Sequence, residues 1–192
     1  SSYRGEVSEA PDNLLRDERG KHHFKASAPN ELWVTDVTEF RIPAGKSYLS
    51  PVIDCFDGMP ISWAISTSPS AEMANSSLLG ACSQLKEGEH PTGHSDRGCH
   101  YRWPGWIGIC DEHGIVRSMS RKGCSPDNAR AEGFFGRLKI EFFYGRDWSG
   151  VALDEFADML DAYLRWYRDV RLKSDLGYKS PMQYRRDLGL IA

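Results

Sequence analysis

Apolar and polar positions divide the chain into a polar lead-in, a strand-rich first half and a helix-rich second half. Residues 1–30 are rich in charge, with Pro11, Pro29, Gly5 and Gly20 and little apolar periodicity. They read as a flexible linker or arm with little core of its own, in which His22 and His23 have no evident partners. The pattern then changes. Leu32-Trp-Val-Thr-Asp-Val-Thr-Glu-Phe40 is rich in β-branched and aromatic side chains and is closed by Pro43 and Gly45, which predicts a first strand. Residues 48–53 and 61–67 predict two more strands around a turn at 54–60, and connections this short imply an antiparallel meander. Ser70 then caps a helix running to about Leu85, with Met73, Ser77, Leu78, Ala81 and Leu85 at helical spacing and Gly88 after its end.

Beyond it the pattern alternates. Residues 90–96 predict a fourth strand, 104–112 a short helix closed by Gly114, and 115–119 a fifth strand. A polar, basic loop leads to Ser125-Pro126-Asp127, a helix start, after which Ala131, Phe134, Phe135, Leu138 and Phe142 mark one buried side. Asn128, Glu132 and Lys139 gather on an adjoining side. Leu153, Phe156, Ala157, Leu160, Tyr163, Leu164 and Tyr167 predict a long amphipathic helix ending near Arg171, and Ser180-Pro181 starts a short closing helix. Three consecutive strands followed by strands alternating with helices is the order of an α/β, ribonuclease-H-like mixed sheet, here of five strands flanked by helices. The expected division is an arm over 1–30, a core over 31–145 and a helical C-terminal extension over 146–192 that packs on the core.

With 192 residues and 40% hydrophobic content, the chain is long enough for a sizeable core. No apolar run reaches the roughly 18 residues of a membrane span, and the first residues lack a signal peptide's apolar stretch, so a cytoplasmic location is expected. Five cysteines without a Cys-x-x-Cys pair argue for reduced thiols rather than a disulfide framework or a structural zinc site. His90, His94, Cys99, His100, Cys110 and His113 cluster in sequence, but without paired ligand spacing. A net charge of −3 carries no global signature of nucleic-acid binding, so local patches must. Residues 117–139 hold Arg117, Arg121, Lys122, Arg130, Arg137 and Lys139 against Asp127 and Glu132. A second cluster, Arg165, Arg168, Arg171, Lys173, Lys179, Arg185 and Arg186, faces only Asp169 and Asp175. Each is either a phosphate-contact face or solvated surface.

Three acids stand where packing residues are expected: Asp36 in the first strand, Asp96 ending the fourth, and Glu132 on the helix. Asp54, Asp57, Asp111 and Glu112 are rivals, but turns and helix ends ordinarily solvate such groups. Spacing alone decides nothing, since 27 acids in 192 positions make about three pairs with the Asp96–Glu132 separation by chance. Context is more specific: Trp-Val-Thr-Asp-Val-Thr-Glu-Phe, His-Ser-Asp-Arg-Gly, and Asp-Asn-Ala-Arg-Ala-Glu-Gly-Phe-Phe-Gly-Arg-Leu-Lys. These motifs, in this order, resemble the catalytic core of bacterial insertion-sequence transposases of the IS3 type, which are similar to retroviral integrases and carry a triad of two Asp and one Glu. The resemblance covers about residues 30–190, and Leu176-Gly-Tyr-Lys-Ser-Pro181 resembles the family's C-terminal signature; Arg168 departs from the Asn that many members carry.

The resemblance implies that Asp36, Asp96 and Glu132 bind two divalent ions, Mg2+ or Mn2+, with Asp36 shared. It also implies that Lys139 approaches element-end DNA and that the 118–125 loop is mobile over the site. Arg121, Lys122 and Asn128 are the other candidate DNA contacts, and His94, two residues before Asp96, either orients a ligand or is a packed histidine. Carboxylates suit this chemistry because magnesium prefers oxygen ligands and two hard cations stabilise both oxygens of a phosphodiester displacement. The expected partners are DNA, as element ends and target, and further copies of the chain, at least a dimer on DNA, in a nucleoid-associated bacterial protein. An upstream DNA-binding region is expected outside this chain. A ribonuclease-H-type nuclease and a non-catalytic DNA-binding or dimerisation remnant are the alternative readings.

Overall fold

A computed structural model describes residues 8–192, with the side chain of Ser125 excepted; residues 1–7 of the expected arm lie outside the described residues. Strands β1 (Leu32–Thr35), β2 (Thr38–Ile42), β3 (Gly45–Asp54) and β4 (Met59–Ser66) precede helix α1 (Ala71–Cys82). Then come β5 (Thr92–Ser95), α2 (Pro104–Glu112), β6 (Val116–Met119), α3 (Ala129–Leu138), α4 (Leu153–Asp169) and α5 (Pro181–Asp187).

The sheet is mixed and has six strands rather than the five expected. The difference lies in the predicted first strand, which is two. Asp36 Oδ1 accepts a hydrogen bond from the Val37 amide at 2.7 Å, and this local bond replaces a ladder bond where the chain leaves β1 for β2. Both strands pair antiparallel with the same side of the long β3, β1 at residues 52–54 and β2 at 45–49, while β4 lines β3's other side. β5 runs parallel to β1, and β6 parallel to β5.

Alternation along β1 supplies both cores. Val34 faces one side with Phe40, Leu49 and Ile53, against Ala131, Phe134, Phe135 and Leu138 of α3 and Phe156, Leu160 and Leu164 of α4. Trp33 faces the other with Val52 and Ile61, against Ala74, Leu78 and Ala81 of α1 and Trp106 and Cys110 of α2. The sheet is therefore sandwiched between two helical layers. Ser70 caps α1 by accepting from the Met73 amide, and Ser180 caps α5 through the Gln183 amide, as their sequences predict. Among the described residues, no helix is long and apolar enough to cross a membrane.

Two regions differ from their polar appearance. Residues 8–30 place Leu15 in the core and hydrogen-bond along the sheet edge, where the Met119 amide donates to Asp12 O and the Leu14 amide to Ser118 Oγ. Asp54 and Asp57, expected to be solvated, are buried at the β3–β4 turn. Arg185 of α5 accounts for this: its Nε donates to Asp57 Oδ2 at 2.6 Å and its Nη2 to Asp54 Oδ2 at 3.1 Å. Lys173 Nζ adds a 2.5 Å bond to the Asp57 carbonyl, so the C-terminal segment closes over the turn through charge-assisted bonds.

This cluster generates a prediction. Arg185→Met leaves two buried carboxylates without their cation and should lower the unfolding free energy by about 3–5 kcal/mol, the usual result of breaking a buried ion pair. Urea denaturation at pH 7 measures it; a loss below about 1 kcal/mol would mean that Arg185 does not hold the turn.

Candidate active site

Asp36 follows β1, Asp96 follows β5, and Glu132 lies in the first turn of α3. Because β1 and β5 are parallel neighbours, their C-terminal ends deliver the two aspartates to the same edge of the sheet. All three acids line one cleft of about 600 Å3, together with Asn128, Arg121 and Lys122. Of the candidates, Lys139 alone among the carboxylates and DNA contacts is not on this lining. It begins a π-helical turn over Lys139–Phe143 that continues α3, and its Nζ lies 5.6 Å from the centre of the Phe40 ring.

Hydrogen bonds hold the aspartates in place. Asn128 Nδ2 donates to Asp36 Oδ2 at 2.8 Å, complementing the Val37 amide on Oδ1. Asn128 is thereby a positioning residue for Asp36 as placed, rather than an exposed contact. Asp96 Oδ1 accepts from the Gly98 amide at 2.8 Å. A Cβ at Gly98 would stand 2.9 Å from that same oxygen, so the His-Ser-Asp-Arg-Gly motif needs its glycine for close approach. Burial pushes the Asp36 carboxyl up to about 7, reinforced by the nearby Asp96 charge and outweighing the bonds from Val37 and Asn128.

Behind the cleft, Asp127 organises the start of α3. It is fully buried, and its Oδ1 lies 2.5 Å from His22 Nε2. Its Oδ2 accepts from the Arg121 backbone amide at 2.9 Å and from Arg121 Nε at 3.0 Å. Burial opposes its charge, yet the bonds from Arg121 and His22 prevail and hold the carboxyl below the usual range. Arg121, a candidate DNA contact, is thus engaged with Asp127, while Lys122 is exposed. His94 is fully buried, with Nε2 2.8 Å from the Asp127 carbonyl and Nδ1 2.8 Å from Ser118 Oγ. A carbonyl only accepts, so Nε2 carries the proton; burial keeps the ring's pKa below its ordinary value and favours this neutral form. His94 therefore ties β5 to β6 and to the start of α3, on the residue next to Asn128. Sequence reasoning missed Asp127 and His22, because a charge in a helix's first turn and a histidine in a polar arm both look solvated.

An all-oxygen carboxylate set with mutual repulsion suits hard divalent cations. Among the described residues, no three His, Cys, Asp or Glu side chains are grouped closely enough to hold one ion.

This fold and cleft define a ribonuclease-H-like α/β core, and comparison with known proteins identifies its family. The integrase core domain matches residues 26–125, and a second integrase core domain description matches residues 132–187. The chain is 51% identical, over its full length, to 36% of a Shigella flexneri protein described as "Probable transposase for insertion sequence element IS1353". Over 75% of its length it is 35% identical to 48% of the transposase InsF for insertion sequence IS3A of Escherichia coli. It thus spans less than two thirds of either relative. The HTLV-2 integrase catalytic core domain, solved in complex with magnesium in a dimeric form, shares the fold with a TM-score of 0.56 at 20% identity, covering 81% of this chain and 96% of that one. The chain belongs to the integrase core domain family, among the bacterial insertion-sequence transposases of the IS3 type.

Protonation of Asp36 supplies a test. Its folded pKa lies above that of an unfolded aspartate, so the ion-free fold takes up a proton between about pH 4 and 7 and loses that stabilisation as pH rises through about 7. Asp36→Asn cannot ionise, and the Asn128 amide can turn to offer its Oδ1, which has no hydrogen-bond partner in the present arrangement. In EDTA, the stability of Asp36→Asn relative to the parent should rise between pH 5 and pH 8, by at most about 1.4 kcal/mol per pH unit. Parallel pH profiles would show that Asp36 is ionised throughout.

Proposed function

We propose that this chain is the catalytic core of a DNA transposase, cutting phosphodiesters at element ends and joining the freed 3′ ends to target DNA. The observation that carries the reading is the meeting of Asp36, Asp96 and Glu132, from separate elements, on one cleft. Family membership supports it, as does the magnesium named for the HTLV-2 integrase core of the same fold. Asp36 would be shared between two Mg2+ or Mn2+ ions, with Asp96 and Glu132 each serving one of them. Bound there, the ions supply charge stabilisation for the attacking and leaving oxygens.

The chain's own residues hold and orient. Asn128 fixes the Asp36 carboxylate, Gly98 lets its amide reach Asp96, and the His94–Asp127 link sets the start of the helix that carries Glu132. No side chain attacks phosphorus. In the first step water adds to the phosphate as the bond to the 3′ oxygen breaks, leaving a 3′ hydroxyl and a 5′ phosphate. In the second that hydroxyl adds to a target phosphate and displaces its 3′ oxygen. Lys122 and Lys139 would meet DNA phosphates, and Arg121 would do so by leaving Asp127. We assign residues 31–145 to the catalytic core and 146–192 to a helical extension, with 1–30 an arm whose residues 8–30 pack along the sheet edge. Two or more copies would act on paired ends in the bacterial nucleoid.

Glu132→Gln should reduce magnesium- or manganese-dependent cleavage of an element-end duplex by at least about 1000-fold while shifting the thermal midpoint by less than about 2 °C, because the side chain is exposed. Retained cleavage would remove Glu132 from the mechanism. An RNA/DNA hybrid cut faster than the duplex would make the protein a ribonuclease-H-type nuclease instead.

A further inference from the structure

A second cleft, of about 470 Å3, lies on another flank of α3. Arg130, Gly133 and Arg137 stand at i, i+3 and i+7 on its wall, a different face of the helix from Glu132. Arg171 and Lys173, from the segment after α4, face them across the cleft. Members of the two basic clusters of the sequence, taken from either side of α4, thus converge on one cavity in a chain of net negative charge.

Neighbouring acids offset this charge only in part. Glu141 is held by Arg171 in a bidentate pair and lies 3.9 Å from Arg137 Nε. Asp175 lies 3.6 Å from Lys173 Nζ, which also bonds the Asp57 carbonyl, and Arg185 covers the Asp57 carboxylate. Arg130 and Lys173 crowd the same glycine: a Cβ at Gly58 would stand 3.0 Å from Arg130 Nη2 and 2.6 Å from Lys173 Nζ. Two cations this close, one of them on a side chain only 9% exposed, favour an anion between them. At Gly133 a Cβ would meet nothing within 4 Å, so the wall between the two arginines is open.

The geometry points to a second phosphate-binding site, in which this cleft takes a phosphodiester of the DNA backbone while the strand also passes the acid-lined cleft. Two observations favour a DNA strand over a small phosphorylated molecule. The rim carries Tyr178, 73% exposed on a left-handed backbone at φ +58, and Leu172, 63% exposed. An outward aromatic ring beside cations is a base-stacking surface. Lastly, α3 lines both clefts, with Glu132 on one and Arg130 and Arg137 on the other, and a helix width of about 10 Å corresponds to about three nucleotides of rise along one strand. The inference takes its ligand class from the transposase reading, but not its chemistry.

Binding of a fluorescein-labelled duplex with a short 3′ overhang, measured by anisotropy in EDTA across a salt series, tests it without cleavage. Arg137→Glu and Tyr178→Ala should each weaken binding about tenfold, and Arg137→Glu should flatten the log–log salt slope by about one. Arg137→Gln, checked for fold by its thermal midpoint, makes the same comparison if the charge reversal unfolds the protein. Glu132→Gln should bind DNA at least as tightly as the parent, because it removes a negative charge from the other cleft. That variant separates the two ideas, because lost cleavage with retained binding concerns the acids alone, and full cleavage by Glu132→Gln would sink the catalytic reading while leaving the cleft's result standing. Unchanged affinity and salt slope in the Arg137 and Tyr178 variants would overturn the proposal. So would saturable binding of inorganic phosphate or dAMP, abolished by Arg137→Gln, with no effect of that variant on DNA.

Discussion

A carboxylate that is fully buried must be surrounded by donors, and at Asp127 that requirement ties four parts of the chain together. His22 reaches it from the arm, Arg121 from the loop after β6, and His94 from β5 through the carbonyl, while Asp127 itself opens the turn into α3. The next residue, Asn128, holds Asp36, and Glu132 follows one turn later. The position of the helix-borne acid relative to the strand-borne ones is thus set by the electrostatics behind the cleft as well as by packing of Phe134, Phe135 and Leu138.

The cleft itself stores the opposite condition. Asp36 is drawn out of water beside Asp96, and its raised pKa measures how poorly that charge is compensated by protein donors alone. On another flank of the same helix the surplus has the other sign, with Arg130 and Lys173 crowded at Gly58. One helix therefore carries acid on one flank and base on another, and its apolar side anchors both to the sheet. The buried Arg185 cluster performs a comparable task for the C-terminal segment, bringing Lys173 across the β3–β4 turn.

Much of this was legible along the chain. The periodicity of Ala131, Phe134, Phe135, Leu138 and Phe142 named the buried side of α3, and all five are core residues. The serine caps before α1 and α5 were readable because capping is a local interaction. So were the three acidic motifs, whose neighbouring residues identified the family where spacing did not. The break between β1 and β2 was not legible, because Asp36 sits within a β-rich pattern and only its bond to the Val37 amide interrupts the ladder. Asp54 and Asp57 were misjudged, and Asp127 passed over, for one reason: an acid in a turn or a helix start looks solvated unless its partner, here Arg185 or His22 more than 100 residues away, is known.

Side-chain periodicity, local caps and residue context sufficed for the helices, their inner faces and the family, because all three are properties of residues close in the chain. Tertiary structure decided which charges meet. It brought Asp36 and Asp96 to one edge through the parallel pairing of β1 with β5, and Arg130 and Arg137 to Arg171 and Lys173 through the docking of the C-terminal segment. It likewise brought His22 to Asp127. Such encounters join residues far apart in the chain, and the desolvation that gives them their strength exists only once the chain has folded around them.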